Sequence, residues 1–249
     1  MQKLYLYVHP KRLCMKFLLV FLLMVFTCSG QDLSGEELLN RAIAYHDPSG
    51  NWSSFNGTLN IHMETPNNPV RKSEIKIDIP KEYFYVKAVS DTTVTEYELN
   101  KDNCTIRLNE RANLSEDIKE KHNLSCERAM LYKNYYTYLY GLPMKLKDPG
   151  TIIADTFLRK EFKGKEYLVL KVTYAETVGN DVWFFYFDPE TYAMKVYQFF
   201  KGDPKKEGKN TGEYILLTGE FEVEGIKMPK NRAWYYNKDD KYLGTDFLK

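Results

Sequence analysis

Apolar residues recur along this chain with two different periods. Leu38, Leu39, Ala42, Ile43 and Tyr45 fall at helical spacing, behind a Ser34 and Glu37 capping-box pair and ahead of the breaker segment HDPSGNW, which predicts one short helix. From there the period drops to two. LNIHM (59–63), IKIDI (75–79) and VTEYEL (94–99) alternate apolar with polar positions, punctuated by Pro66, Pro69, Pro80 and Asp91, and predict meander strands with one dry face. Residues 114–140 break that rhythm. SEDIKEKHN and CERAMLYKNYYTYLYG lack β-branched alternation and stop at Gly141 and Pro143, so two helices are expected, the second rich in tyrosine.

The last hundred residues return to strands. FLRKEF, EYLVLKVTYAE, DVWFFYFDPETY and AMKVYQFF read as a ladder of hairpins, followed by EYILLTGEFEVEGIKMP and RAWYYNKDDKYLGTDFL. Within DVWFFYF the alternation disappears, because every residue from Val182 to Phe187 is apolar or aromatic. On a pleated strand Trp183, Phe185 and Phe187 share one face, and Val182, Phe184 and Tyr186 the other. Both faces need cover, since an exposed row of three aromatics is a large sticky patch. Either one face lines a cavity or meets the tyrosine-rich helix, or the strand is packed on both sides with no cavity.

The start of the chain has a different character. Lys11, Arg12 and Lys16 precede the apolar run FLLVFLLMVF, which has ten residues where a spanning helix needs roughly 20. A secretory signal peptide over residues 1–30 is expected, with Met15 as an alternative start, and no transmembrane span after its removal. Two routes of processing stay open, cleavage after Gly30 or lipidation of Cys28. Export makes Cys104 and Cys126, the remaining pair after Cys14 and Cys28, a disulfide candidate.

Charge and motifs narrow the function. The formal net charge is +1, but the first thirty residues hold four basic and no acidic side chains, so the rest carries 31 basic against 34 acidic groups. That balance argues against a nucleic-acid partner. Gly-x-Ser-x-Gly, HExxH, phosphate-loop and dinucleotide signatures are missing, and neither cofactor nor metal is called for. His46 closes the first helix, where imidazole can interact with the helix C-terminus; His62 sits on the polar side of its strand; His122 lies in a charged helix.

With these elements in place a resemblance emerges. YHDPSGNW after a short capped helix, then strands, a helical middle, FDPETYAMKVYQFF and LTGEFEVEGIKMPKNRAWYY resemble the Lol-type carriers that sort outer-membrane lipoproteins in Gram-negative bacteria. More closely, they resemble an uncharacterised exported family of the same layout. The resemblance spans roughly residues 34–248. It implies an α+β, mainly antiparallel β fold, a curved incomplete barrel wrapping a few helices. The chain from 31 to 249 then forms a single half-barrel domain with a helical insert at about 114–140. It also implies a non-enzymatic protein of the periplasm or outer membrane that binds a lipid, acyl chain or lipoprotein in an apolar cavity. Trp183, Phe185, Phe187, Tyr135, Tyr138 and Leu139 are the cavity-lining candidates. Two other readings remain: an envelope interaction module without a cavity, and a hydrolase in which His46 or His62 is hydrogen-bonded to a carboxylate.

Overall fold

The computed structural model describes residues 33–249 with the exception of Glu207. The expected signal peptide, the alternative start at Met15 and the lipidation candidate Cys28 lie outside the described residues.

Helix α1 (Gly35–His46) begins where the capping pair predicts. The Ser34 N–H donates to Glu37 Oε2 at 2.8 Å and the Glu37 N–H to Ser34 Oγ at 3.1 Å. Its apolar stripe buries Leu38, Leu39 and Ala42 completely. Just beyond the helix, Asp47 accepts the N–H groups of Asn51 at 2.7 Å and Trp52 at 2.9 Å and sets a short 3-10 turn (Asn51–Ser54).

Two antiparallel meanders follow. The first comprises β1 (Asn56–Glu64), β2 (Arg71–Asp78), β3 (Tyr83–Ser90), β4 (Thr93–Asn100) and β5 (Asn103–Leu108). Alternation had marked β1, β2 and β4 only. In β3, Phe84 and Val86 turn inward while Tyr83 and Tyr85 lie half-buried outside, so aromatic residues on both faces hide the period. The helical middle contains α2 (Glu116–Lys121) and α3 (Cys126–Tyr140), the latter capped by Ser125 Oγ, which accepts the Arg128 N–H at 3.1 Å. The Cys104–Cys126 disulfide ties the first residue of α3 to β5.

The second meander comprises β8 (Lys165–Tyr174), β9 (Asp181–Phe187), β10 (Met194–Lys201), β11 (Glu213–Val223), β12 (Ile226–Tyr236) and β13 (Tyr242–Leu248). Two short strands, β6 (Thr151–Ile153) and β7 (Leu158–Phe162), pair with successive parts of β8. β1 and β13 pair with each other, Ile61 opposite Leu248 and Met63 opposite Asp246. One 13-stranded antiparallel sheet results, in the order β5-β4-β3-β2-β1-β13-β12-β11-β10-β9-β8-β6 with β7 branching off β8, and it does not close on itself. Its inner face wraps α3, whose tyrosines reach Phe84 on β3, Tyr97 on β4 and Trp183 on β9.

Strand β9 shows how both of its faces are covered. Trp183, Phe185 and Phe187 face the helices, Trp183 meeting Tyr138 edge-on at 5.8 Å. On the outer face Tyr186 belongs to a second small core with Tyr167, Val169, Val196 and Tyr214. The β7–β8 hairpin curls over that core: Phe162 lies 5.2 Å from the Tyr186 ring and 5.3 Å from Tyr214, and Lys163 pairs with Asp240 at 2.7 Å.

His46 takes a role the sequence does not announce. It is buried, with Nδ1 2.6 Å from Lys227 O on β12, and Nε2 accepts the Met194 N–H of β10 at 2.9 Å. Since Nε2 accepts, the proton sits on Nδ1 and the ring is neutral, so it pins α1 to two strands instead of acting as a cation at a helix end. Burial holds its pKa below the usual imidazole value. The unfolded chain therefore takes up the second ring proton, on Nε2, at a higher pH than the native protein, and His46 stabilises fully above that range and progressively less as pH falls through it. In urea titrations at about pH 7.5 and about pH 5, His46→Ala is expected to lose most of its deficit relative to the parent at the lower pH. An equal deficit at both pH values would show that the ring is not held neutral.

Candidate ligand-binding site

Antiparallel register aligns the inner-face residues of β1, β2 and β9–β13 into rows. The deepest row is Arg71, Met63, Asp246, Arg232 and Leu217, each opposite the next across neighbouring strands. Above it run Gly244, Trp234, Ile215, Tyr197 and Phe185, and above those Tyr236, Glu213, Phe199 and Trp183. The first two rows mix buried with half-buried residues, and the third has no buried member. Ile215, Tyr197 and Phe185 are fully buried, whereas Trp183, Phe199, Glu213 and Trp234 are half-buried and Tyr236 is 41% exposed.

Helix α3 supplies the facing wall. Tyr135, 38% exposed, stacks on Trp234 with centroids 6.3 Å apart, and Tyr138 closes on Trp183. Trp183 in turn stacks on Phe199 at 4.8 Å, and Tyr197 meets Trp234 edge-on at 6.2 Å. The product is an aromatic mouth between α3 and strands β9–β12. Beside it lies a pocket of about 160 Å³ lined by Met63, Tyr135, Glu213, Trp234, Leu243 and Asp246, among others. A larger hollow of about 610 Å³ opens elsewhere, among Asn56, Lys76, Asp78, Lys81 and Glu224; its lysines are already paired, Lys76 with Glu74 and Lys81 with Asp78. Polar, solvated and charge-balanced, it offers less to an apolar ligand.

Beneath the mouth is an ionic cluster. Arg232, 1% exposed, donates from Nη1 to Pro229 O at 3.1 Å and from Nη2 to Leu139 O at 3.3 Å, with its guanidinium 3.8 Å from the Tyr140 ring centre. It thereby serves one of the last carbonyls of α3, which have no partner within the helix. Arg71 Nη2 donates to the Tyr136 hydroxyl at 3.1 Å. Asp246, 4% exposed, stands between these two cations: burial raises its pKa, and the Arg232 and Arg71 charges offset that in part. Burial raises the pKa of the Tyr140 and Tyr197 phenols as well, so both are neutral hydroxyls at ordinary pH.

Of the six residues singled out from sequence, Trp183, Tyr135 and Tyr138 meet at this mouth, while Phe185, Phe187 and Leu139 lie fully covered beneath it. Phe199, Glu213, Trp234, Tyr236 and the Arg71, Arg232 and Asp246 cluster were not among them. The alternation of Arg232, Trp234 and Tyr236 within RAWYY was the available signal. The arrangement set for a hydrolase is not found among the described residues: His46 uses both ring nitrogens on backbone groups, and His62 is half-buried with no carboxylate hydrogen-bonded to it.

Residues 14–248 match the profile of a family of unknown function, DUF6503. The chain belongs to the DUF6503 family. No curated protein matches it. Among solved structures, this DUF6503 chain is similar to a LolA superfamily protein from Nitrosomonas europaea, with a TM-score of 0.50 and 9% identity, over 87% of this chain and 91% of that one. A DUF1329 family protein from Desulfovibrio piger ATCC 29098 aligns with a TM-score of 0.42 and 9% identity, over 86% of this chain and 90% of that one. The first likeness shows the fold of the DUF6503 chain, a curved open antiparallel barrel around helices, and agrees with the resemblance read from its sequence. Among the described residues no helix is long and apolar enough to cross a membrane.

Proposed function

We propose that this chain is an exported envelope protein that binds an apolar chain, the acyl tail of a lipid or lipoprotein, across the aromatic mouth, without catalysing a reaction. The half-exposed ring of Tyr135, Tyr138, Trp183, Phe199 and Trp234 carries the proposal. Such rings offer apolar area at the rim of a concave, preformed surface, the usual character of a lipid site. The apolar run and basic flank of residues 1–30 support export, to the periplasm or outer membrane. A chain lying across the mouth meets Trp183 and Trp234 directly; Phe185, Phe187 and Leu139 join the contact only where α3 moves aside.

The three tryptophans provide the test. Trp183 and Trp234 belong to the mouth, whereas Trp52 is buried in the 3-10 turn near Gly141. A brominated stearate, whose bromines quench indole only at short range, is expected to quench the parent protein saturably, to quench Trp183→Phe and Trp234→Phe each less, and to leave the double variant untouched. Quenching that survives in the double variant, or no saturable quenching at all, refutes the proposal. Native mass spectrometry of protein taken from its own envelope then names the cargo.

A second reading has an observation of its own. Met130 and Leu131 on α3 are 42% and 61% exposed, an apolar strip next to the mouth that suits a protein partner in the envelope. Protein purified empty, with no chain-dependent quenching, favours this reading.

A further inference from the structure

The upper row of the mouth is made of strand ends. Phe199 and Glu213 form the last pair between β10 and β11 on that side, and Glu213 and Tyr236 the last pair between β11 and β12. The end residues of a ladder open most easily, so a binding surface built from them needs a fastening of its own. Two loops leave from this row, 202–212 between β10 and β11 and 237–241 between β12 and β13.

Asn237, the first residue of the second loop, supplies the fastening. Its Nδ2 donates to Phe199 O at 2.8 Å and to Thr211 O at 2.7 Å, and its backbone N–H to Gly212 O at 3.2 Å. One residue thereby ties the end of β12 to the end of β10 and to the two residues that lead into β11. The approach is close: at Gly212, whose φ is +69°, a Cβ would run into Phe199 O, so only glycine lets the loop lie there. Because two carbonyls flank it, the nitrogen of the Asn237 amide is identified, and every group behind it follows. Asn237 Oδ1 accepts from Gln198 Nε2 at 2.8 Å, and Gln198 Oε1 accepts from the Tyr186 hydroxyl at 2.6 Å. Gln198 is 8% exposed and Tyr186 fully buried, in the small outer core under the β7–β8 hairpin. A buried polar chain is stabilising only when its members are paired, and this one ends on the strand ends that carry the mouth.

Resting on the acyl-chain reading of that mouth, we propose that Asn237, backed by Gln198 and Tyr186, is a positioning residue for the ligand. It acts through Phe199. Anchored at its carbonyl, Phe199 keeps its ring stacked on Trp183, with centroids 4.8 Å apart, as one wall for an apolar chain. Affinity is thus set partly from the outer side of the sheet, which the ligand does not touch.

Brominated stearate titrated against the protein reads the effect through Trp183 and Trp234. Asn237→Ala is expected to raise the half-saturating concentration roughly tenfold, and Asn237→Asp, which sets a carboxylate against two carbonyls, at least as much. Asn231→Ala removes another amide of β12, bonded to Thr218 Oγ1 away from the mouth, and should stay within about twofold of the parent. A double-mutant cycle separates positioning from general loosening. In a Phe199→Leu background Asn237→Ala should cost less than about twofold in affinity, since the ring it positions is gone, while its lowering of Tm persists. Should Asn237→Ala not fold, Gln198→Met, similar in shape but without the amide, carries the decision, with a loss of roughly fivefold expected. A binding constant for Asn237→Ala (or for Gln198→Met in its place) within about twofold of the parent, or a full loss repeated in the absence of the Phe199 ring, overturns the positioning role and leaves the acyl-chain reading standing. A parent protein with no saturable quenching removes that reading and this inference together.

Discussion

Replacing Arg232 by alanine is expected to cost about 3–5 kcal/mol of folding stability, the range for removing a buried charge that offsets another. The side chain satisfies Leu139 O at the end of α3 and Pro229 O on β12, stacks under Tyr140, and faces Asp246 across the β12–β13 ladder. Its removal leaves the Asp246 carboxylate buried with Arg71 as its nearest cation. The deficit should depend on pH with a definite sign. Asp246 already has a raised pKa in the folded protein, from burial; without Arg232 it rises further, so the native variant binds a proton where the unfolded chain does not. Stability of the variant relative to its parent therefore recovers as pH falls toward the ordinary carboxylate range and is lowest at neutral pH. Urea denaturation of both proteins at about pH 8 and about pH 5 checks this. A loss below about 1 kcal/mol with no pH dependence would mean that the guanidinium is worth no more than an ordinary hydrogen bond here.

Removing the Cys104–Cys126 bond is expected to cost about 3 kcal/mol, the chain-entropy value for closing a loop of this length, where the sequence separation is 22 residues. Its place gives the loss a local character. β5 is an edge strand of the sheet, and α3 is anchored at its start by the bond and near its end by Arg232. With both cysteines changed to serine, thermal denaturation should shift down while hydrogen exchange quickens first in β5 and the first turns of α3. Reduction of the parent protein should reproduce the shift. Unchanged melting in both experiments would show that packing of Tyr132 and Tyr136 against Tyr97 and Phe84 holds α3 without the bond.

The two predictions differ in how their residues come to light. Cys104 and Cys126 are visible as a pair because the apolar start of the sequence predicts export, oxidising compartments favour disulfides, and these are the two that remain after Cys14 and Cys28. Arg71, Arg232 and Asp246 carry no such mark. Each reads as one polar residue in a strand, and nothing nearby in sequence distinguishes it from the solvated charges of Glu220 and Glu222 on β11 and Glu224 just after it, all three exposed. Trp183 could be read from the unbroken apolar run of β9, because six such residues leave no wet face. The same run could not rank its members. Trp183 stays half-open at the rim, while Phe185 and Phe187, one and two rows deeper, are fully buried. His46 misleads in the opposite way: its place at a helix end suggests a cation, and two backbone groups brought from β10 and β12 make it a neutral bridge.

Cap, period and turn chemistry act over a few residues, so the linear chain was enough for α1, the helical middle, the hairpin ladder and the family resemblance. The site depends on longer reach. Met63 and Asp246 are neighbours because β1 pairs with β13, and Arg232 joins them because β12 pairs with β13 in one register. A slip of one residue in either ladder would carry Arg232 or Asp246 to the outer face, where its charge would be solvated and the pocket lost. Which strands pair, and in which register, is settled by the burial of the whole inner face against α1 and α3. That is a property of the folded sheet and of no local stretch, and it is why the aromatic mouth and its charged floor came into view only with the assembled barrel.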